Sequence, residues 1–169
     1  MRHYSICKFQ LDGQQRFFIW YMDEKDGVVV DENCQFIIFK SELDAAHFAS
    51  SRELPLEDGA PVFFDLEQVS TWCKLPTADA VDCEGFLNAW NLLDDISSSC
   101  NEFPSPFGHI SKRENDLYDK LFYGNNLPSI TPAGEHYEPE WTEEEIKRLN
   151  RVLQLGLVEL RQRLPQDAV

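Results

Sequence analysis

The chain predicts an α+β domain: an N-terminal antiparallel sheet of three to five strands packed with about five helices, the last of them long. Three observations carry this. Tyr4 to Leu11 and Arg16 to Met22 are dense in aromatic and β-branched residues and flank Asp12-Gly13, a hairpin turn signal. Asp82 to Cys100 sets Phe86, Ala89, Trp90, Leu93, Ile96 and Cys100 on one stripe at helical spacing. Thr142 with Glu145 forms a capping box before a long periodic run that Pro165 stops. At 169 residues the chain is one domain, strand-rich over 1–64 and helix-rich over 65–169, long enough to bury roughly 70% of its unfolded surface.

The elements follow in order. After the hairpin, a polar turn from Asp23 to Gly27 leads to Val28-Val29-Val30, and Asp31-Glu32-Asn33 separates that run from Cys34 to Phe39, so the sheet is expected to gain one or two strands here. Ser41 and Asp44 open a helix from Glu42 to about Glu53, whose stripe is read as Leu43, Ala46, His47 and Ala49 or Ser50. Pro61 precedes Val62-Phe63-Phe64, an edge strand, since proline is tolerated there. Asp65 caps a helix from Leu66 to about Lys74.

The helix from Asp82 to Cys100 turns Glu84, Asn88, Asn91 and Asp95 outward at three- and four-residue spacing, a row able to meet Lys or Arg on another protein. Prolines, glycine and serines make Asn101 to Lys112 a loop that Phe103, Phe107 and Ile110 hold down, followed by a short helix from Arg113 to Tyr123. Gly124 to Glu140 is too long for a simple connector. The final helix buries Ile146, Leu149, Leu153, Gly156, Leu157, Leu160 and Leu164, while Leu155 and Val158 lie off that stripe and require either a second neighbour or a small exposed apolar patch.

The formal charge of -15 disfavours sequence-independent binding to nucleic acid or anionic lipid, which needs Lys and Arg to displace counterions. The charge is also concentrated. Between Glu53 and Ser111 eleven carboxylates, Glu102 among them, face the single base Lys74. Like charge held this densely repels itself in a compact domain, which points to a basic partner. No apolar leader and no membrane-length apolar run occurs, so a cytosolic protein is expected. The five cysteines are odd in number and widely spaced, a pattern of reduced thiols serving as small apolar residues, and the isolated histidines give no metal-ligand spacing.

No phosphate loop, nucleophile elbow or metalloprotease helix occurs, and no cofactor or catalytic residue is assigned. Asp94 and Asp95 diverge by about 100° on a helix, unlike a catalytic dyad. Trp20, Trp72, Trp90 and Trp141, with Phe17, Phe18, Phe63 and Phe64, are expected mostly in the core, for want of basic residues between them. A rival expectation is a small enzyme whose pocket forms where Asn125, Asn126, His136 and Tyr137 meet the sheet, and a third is an acidic adaptor or nucleic-acid mimic.

In size, charge and organisation, and in stretches such as Phe86-Leu87-Asn88-Ala89-Trp90-Asn91-Leu92-Leu93-Asp94-Asp95 and Tyr123-Gly124-Asn125-Asn126-Leu127-Pro128, the chain resembles the immunity proteins of bacterial contact-dependent growth inhibition and related polymorphic toxin systems. The resemblance implies a cytoplasmic protein that binds and neutralises a basic toxin domain, often a nuclease. Complementary fields would speed the capture and a few buried anchors would slow release. The contacts expected on this basis are Asp79, Asp82, Glu84, Asn88, Asn91 and Asp95, with Glu57, Asp58 and Glu67 as steering charges.

Overall fold

The hairpin forms as its sequence dictates. In a computed structural model, which describes residues 2–100 and 105–165, β1 (His3–Leu11) pairs antiparallel with β2 (Gln14–Met22) across a turn whose two residues, Asp12 at φ 53° and Gly13 at φ 72°, are both left-handed. The short β3 (Gly27–Val28) adds to β2, and β4 (Val62–Asp65) adds to the free side of β1, giving the order β3-β2-β1-β4. β4 lies at the edge as Pro61 suggested, but it runs parallel to β1, so the sheet is mixed. A parallel neighbour needs a crossover, and the helix between β3 and β4 supplies it.

That helix, α1 (Glu42–Ser51), starts at Ser41, whose hydroxyl accepts from the Asp44 amide. Its buried side is Ala45 and Ala49 with Phe48 beside them, while Leu43 is 63% exposed and His47 is exposed. Of the expected stripe Ala49 is buried, whereas Leu43 and His47 give way to Ala45 and Phe48: small alanines pack with Ile19 and Phe39, and the Phe48 ring lies tilted on Phe39. The run from Cys34 to Phe39 forms no strand. It makes only bridges, Val30 to Phe36 and Phe17 to Phe39, because Asp31 holds a turn by accepting the amides of Asn33 and Gln35.

Alternation along β1 and β2 divides the molecule into layers. Ile6, Ile19 and Phe17 face α1, while Phe9, Phe18 and Phe64 face the larger core under the other helices. Those helices are α2 (Leu66–Lys74), α3 (Cys83–Ser98), α4 (Pro106–Arg113), α5 (Asn115–Gly124) and α6 (Glu143–Arg163), with a 3-10 turn at Ala78–Ala80. α3 and α6 carry the core, and α6 crosses closely at Gly156, where a Cβ would stand 2.6 Å from Leu93 and 2.9 Å from Phe107. The capping box of Thr142 and Glu145 opens α6 as expected, and Val158 stays 48% exposed on its outer side.

Two expectations are corrected here. Pro106 to Arg113 is helical, not loop: Ser105 caps it, Pro106 takes the first turn where its missing N–H costs nothing, and the buried Glu159 accepts from Ser105 and the Phe107 amide. Cys34 and Cys100 are joined in a disulfide, so only Cys7, Cys73 and Cys83 remain thiols. Glu102 and Phe103, named from the sequence, lie outside the described residues. Among the described residues no helix is long and apolar enough to cross a membrane.

Candidate functional site

Trp20, on β2, points from the sheet toward α3, and its indole N–H donates to the Asp95 carboxylate at 2.9 Å. This contact closes one end of a cleft of about 420 Å³ lined by Asn88, Asn91, Asp94 and Asp95 from α3, Asp26 from the turn before β3, and the rings of Trp20 and Phe64. Three carboxylates and two amides thus surround a partly aromatic floor. Asp95 is largely withdrawn from water, and this burial, with Asp26 and Asp94 close by, lifts its pKa to about 6 against the opposing hydrogen bond from Trp20.

A second depression of about 200 Å³ adjoins the first, sharing Asn91 and Asp94 and continuing to Tyr118 and Ser111. There the Tyr118 hydroxyl donates to the Asn91 amide oxygen at 2.9 Å, and desolvation raises the phenol pKa. Asn91 thereby keeps its NH2 group turned away from that bond. Chemically, the whole track offers acceptors and ring faces, an environment suited to guanidinium or ammonium groups.

The structure gathers Asn88, Asn91 and Asp95 of the expected contacts into this cleft, with Asp95 half-buried rather than outward. Glu84 stands near the other end of α3, about 17 Å away along the axis. Asp79 and Asp82 are exposed beside it, and Asp82 accepts from Gln68 at 3.4 Å. The steering charges divide. Glu67 accepts the Gly13 amide at 2.8 Å and so fastens the hairpin turn, whereas Glu57 lies beside His3 at 3.1 Å and near Ser5. These two sit at opposite ends of β1, about 26 Å apart, and Asp58 goes with Glu57. The acidic segment is thus spread over several surfaces, and its α3 portion lines a concavity.

Asp26, Asp94, Trp20 and Phe64 were not among the expected contacts. Their signal was thin: Trp20 alternates with Phe18 and reads as core, yet it is only half-buried, unlike Trp72 and Trp90. Phe63, also expected inside, is 47% exposed at the sheet edge with the Lys8 ammonium 5.8 Å from its ring centroid. The loop of the rival enzyme reading is tied together by its own hydrogen bonds. The Asn126 side chain accepts the Tyr137 amide at 2.7 Å and donates to the Tyr137 and Gly124 carbonyls. His136 and Tyr137 are exposed, and Gly124 abuts Cys83 and Pro139. Among the described residues no group of three or more His, Cys, Asp or Glu could hold a metal ion.

No family model and no curated protein matches this chain. Among solved structures it is similar to the C-terminal domain of SatS, determined in complex with bromine, at 14% identity over 96% of this chain and 92% of that one, with a TM-score of 0.58. At that identity the likeness extends to the fold alone.

Proposed function

We propose that this protein is an immunity-type inhibitor that binds and neutralises a basic toxin domain, with the cleft between α3 and the sheet receiving a cationic side chain of the partner. The observation that supports the reading is the conjunction of Asp26, Asp94 and Asp95 around the rings of Trp20 and Phe64, in a chain of net charge -15. An arginine seated there would exchange water for carboxylates, the amides of Asn88 and Asn91 and an aromatic face. Asp79, Asp82 and Glu84 extend the negative surface along α3 and would guide the approach, and Glu57, Asp58 and Glu67 would act only at longer range.

The reading puts the protein in the cytoplasm, in contact with a protein partner and not directly with nucleic acid or membrane. There a bonded cysteine pair would respond to redox state instead of acting as a permanent staple. The experiment is a pull-down from the native cytosol at two salt concentrations, followed by a growth assay in which the captured protein is expressed with and without this chain. Salt-weakened capture of a basic protein whose toxicity this chain suppresses supports the proposal. A captured protein that is harmless alone, or toxic regardless of this chain, defeats it.

A further inference from the structure

The disulfide between Cys34 and Cys100 joins positions 66 residues apart, tying the turn after β3 to the residue that follows the last turn of α3. Its two sulfurs live in different surroundings. Cys100 is 6% exposed, whereas Cys34 is half-buried and lines an open cleft of about 230 Å³ together with Gln35, Pro106 and Arg163. Thiol–disulfide exchange is an in-line displacement, so the incoming thiolate must reach one sulfur from the side away from the other. Of the two cysteines Cys34 alone lines that cleft, which makes it the sulfur to be attacked and Cys100 the leaving group.

The backbone holds Cys34 in this position. The Asp31 carboxylate accepts the amides of Asn33 and Gln35 at 2.8 Å each, and the Cys34 amide donates to the Asp31 carbonyl at 3.1 Å, with Cys34 itself left-handed at φ 61°. A residue with a Cβ is disfavoured there, so the turn and the disulfide together hold Cys34 in a costly backbone state. The remaining thiols are poor competitors: burial pushes Cys7 up to about 12 and Cys73 to about 11, and it also raises Cys83.

We propose that Cys34 is a thiol-exchange site, through which an external dithiol opens and an oxidised dithiol recloses the link between the turn and α3. One thiolate of the reductant attacks Cys34 Sγ, the Cys34–Cys100 bond breaks, and Cys100 departs as a thiolate that takes a proton from water. The reductant's second thiolate then attacks its own sulfur in the mixed disulfide and releases Cys34, which is protonated in turn. Two electrons pass to the protein, and the reductant ends as a disulfide. The released end of α3 carries Ser99, whose hydroxyl accepts the Val28 amide at 2.8 Å and donates to the Asp95 carbonyl at 2.5 Å, so the opened state loosens the joint between β3 and α3.

The test treats the full native chain with dithiothreitol and quenches with iodoacetamide, following each cysteine by mass spectrometry. Cys34 and Cys100 are expected to become alkylated together, at least tenfold faster than Cys7 and Cys73 and at a rate first-order in dithiothreitol. Single-cysteine variants give a second readout: with oxidised glutathione, Cys100→Ser should form the mixed disulfide at Cys34 at least tenfold faster than Cys34→Ser forms it at Cys100. Opening that waits on global unfolding and ignores the dithiothreitol concentration overturns the proposal, as do faster capture at Cys100 and a purified chain with both thiols free under air.

Discussion

The Trp20 indole and the Asp95 carboxylate, 75 residues apart in sequence, meet at 2.9 Å and pin the sheet to the C-terminal half of α3. The bond serves two ends. It orients the carboxylate that closes the acidic cleft, and it partly offsets the cost of keeping that carboxylate from water.

The offset is incomplete, and a pH dependence follows. Asp95 titrates at about 6 in the folded protein against 3.8 for a free side chain, so the folded state holds this proton more tightly. Ionisation there costs stability: the cost is absent below about pH 4, grows as pH rises, and is complete above about pH 6. Asp95→Asn keeps an acceptor for Trp20 and removes the charge. It should stabilise the protein at pH 7 by about 1 kcal/mol, less than the full shift because solvent still reaches the group. Urea midpoints for the two proteins should converge near pH 4, and equal differences at both pH values would contradict this account.

Gly156 predicts an overpacking effect. Alanine has the better helix propensity by about 1 kcal/mol, but its Cβ would stand 2.6 Å from Leu93 and 2.9 Å from Phe107, which are 2% and 0% exposed and packed in the core. Core insertions of this kind cost about 1–3 kcal/mol. Gly156→Ala should therefore lower the urea midpoint with an unchanged slope, and a raised midpoint would mean that α6 packs less closely.

Much of the fold could be read from the chain because it is written locally: Asp12-Gly13 sets the hairpin, Asp65 caps α2, and Thr142 with Glu145 opens α6. α4 does carry a start signal, Ser105 before Pro106, but the nearby prolines and glycine give the same stretch the composition of a loop. The Cys34–Cys100 pair and the parallel register of β4 are long-range facts that no local pattern encodes. The cleft was half legible. Helical spacing grouped Asn88, Asn91 and Asp95, but Asp26 and Trp20 reach it only through the tertiary fold.

Asn126 gives a local prediction. It sits at φ 51° and its side chain spans the loop to Tyr137, so one residue ties together positions eleven apart. Asn126→Ala loses the bonds and adds left-handed strain, and should destabilise by about 1–2 kcal/mol. Asn126→Gly relieves only the strain. Limited proteolysis should cut between Gly124 and Glu140 fastest in the alanine variant, then in the glycine variant, and slowest in the parent, and cleavage elsewhere first would show that the clamp is not the loop's main support.

The last prediction separates anchoring from steering. A charge inside a concavity acts on the bound complex, while a remote surface charge acts mainly on encounter. Asp94 lines both depressions and accepts weakly from Ser111 at 3.5 Å, so Asp94→Lys would put an ammonium where the partner's cation should sit. Against a basic partner this should weaken affinity at least tenfold, chiefly through faster dissociation. Glu57→Lys, at the far end of β1, should change association by about twofold at low salt and by nothing measurable at high salt, because salt screens attraction beyond about a Debye length. Surface plasmon resonance at two ionic strengths resolves both rates. If the two reversals weaken binding equally and only through association, the acidic surface steers the partner without a seat for it between α3 and the sheet.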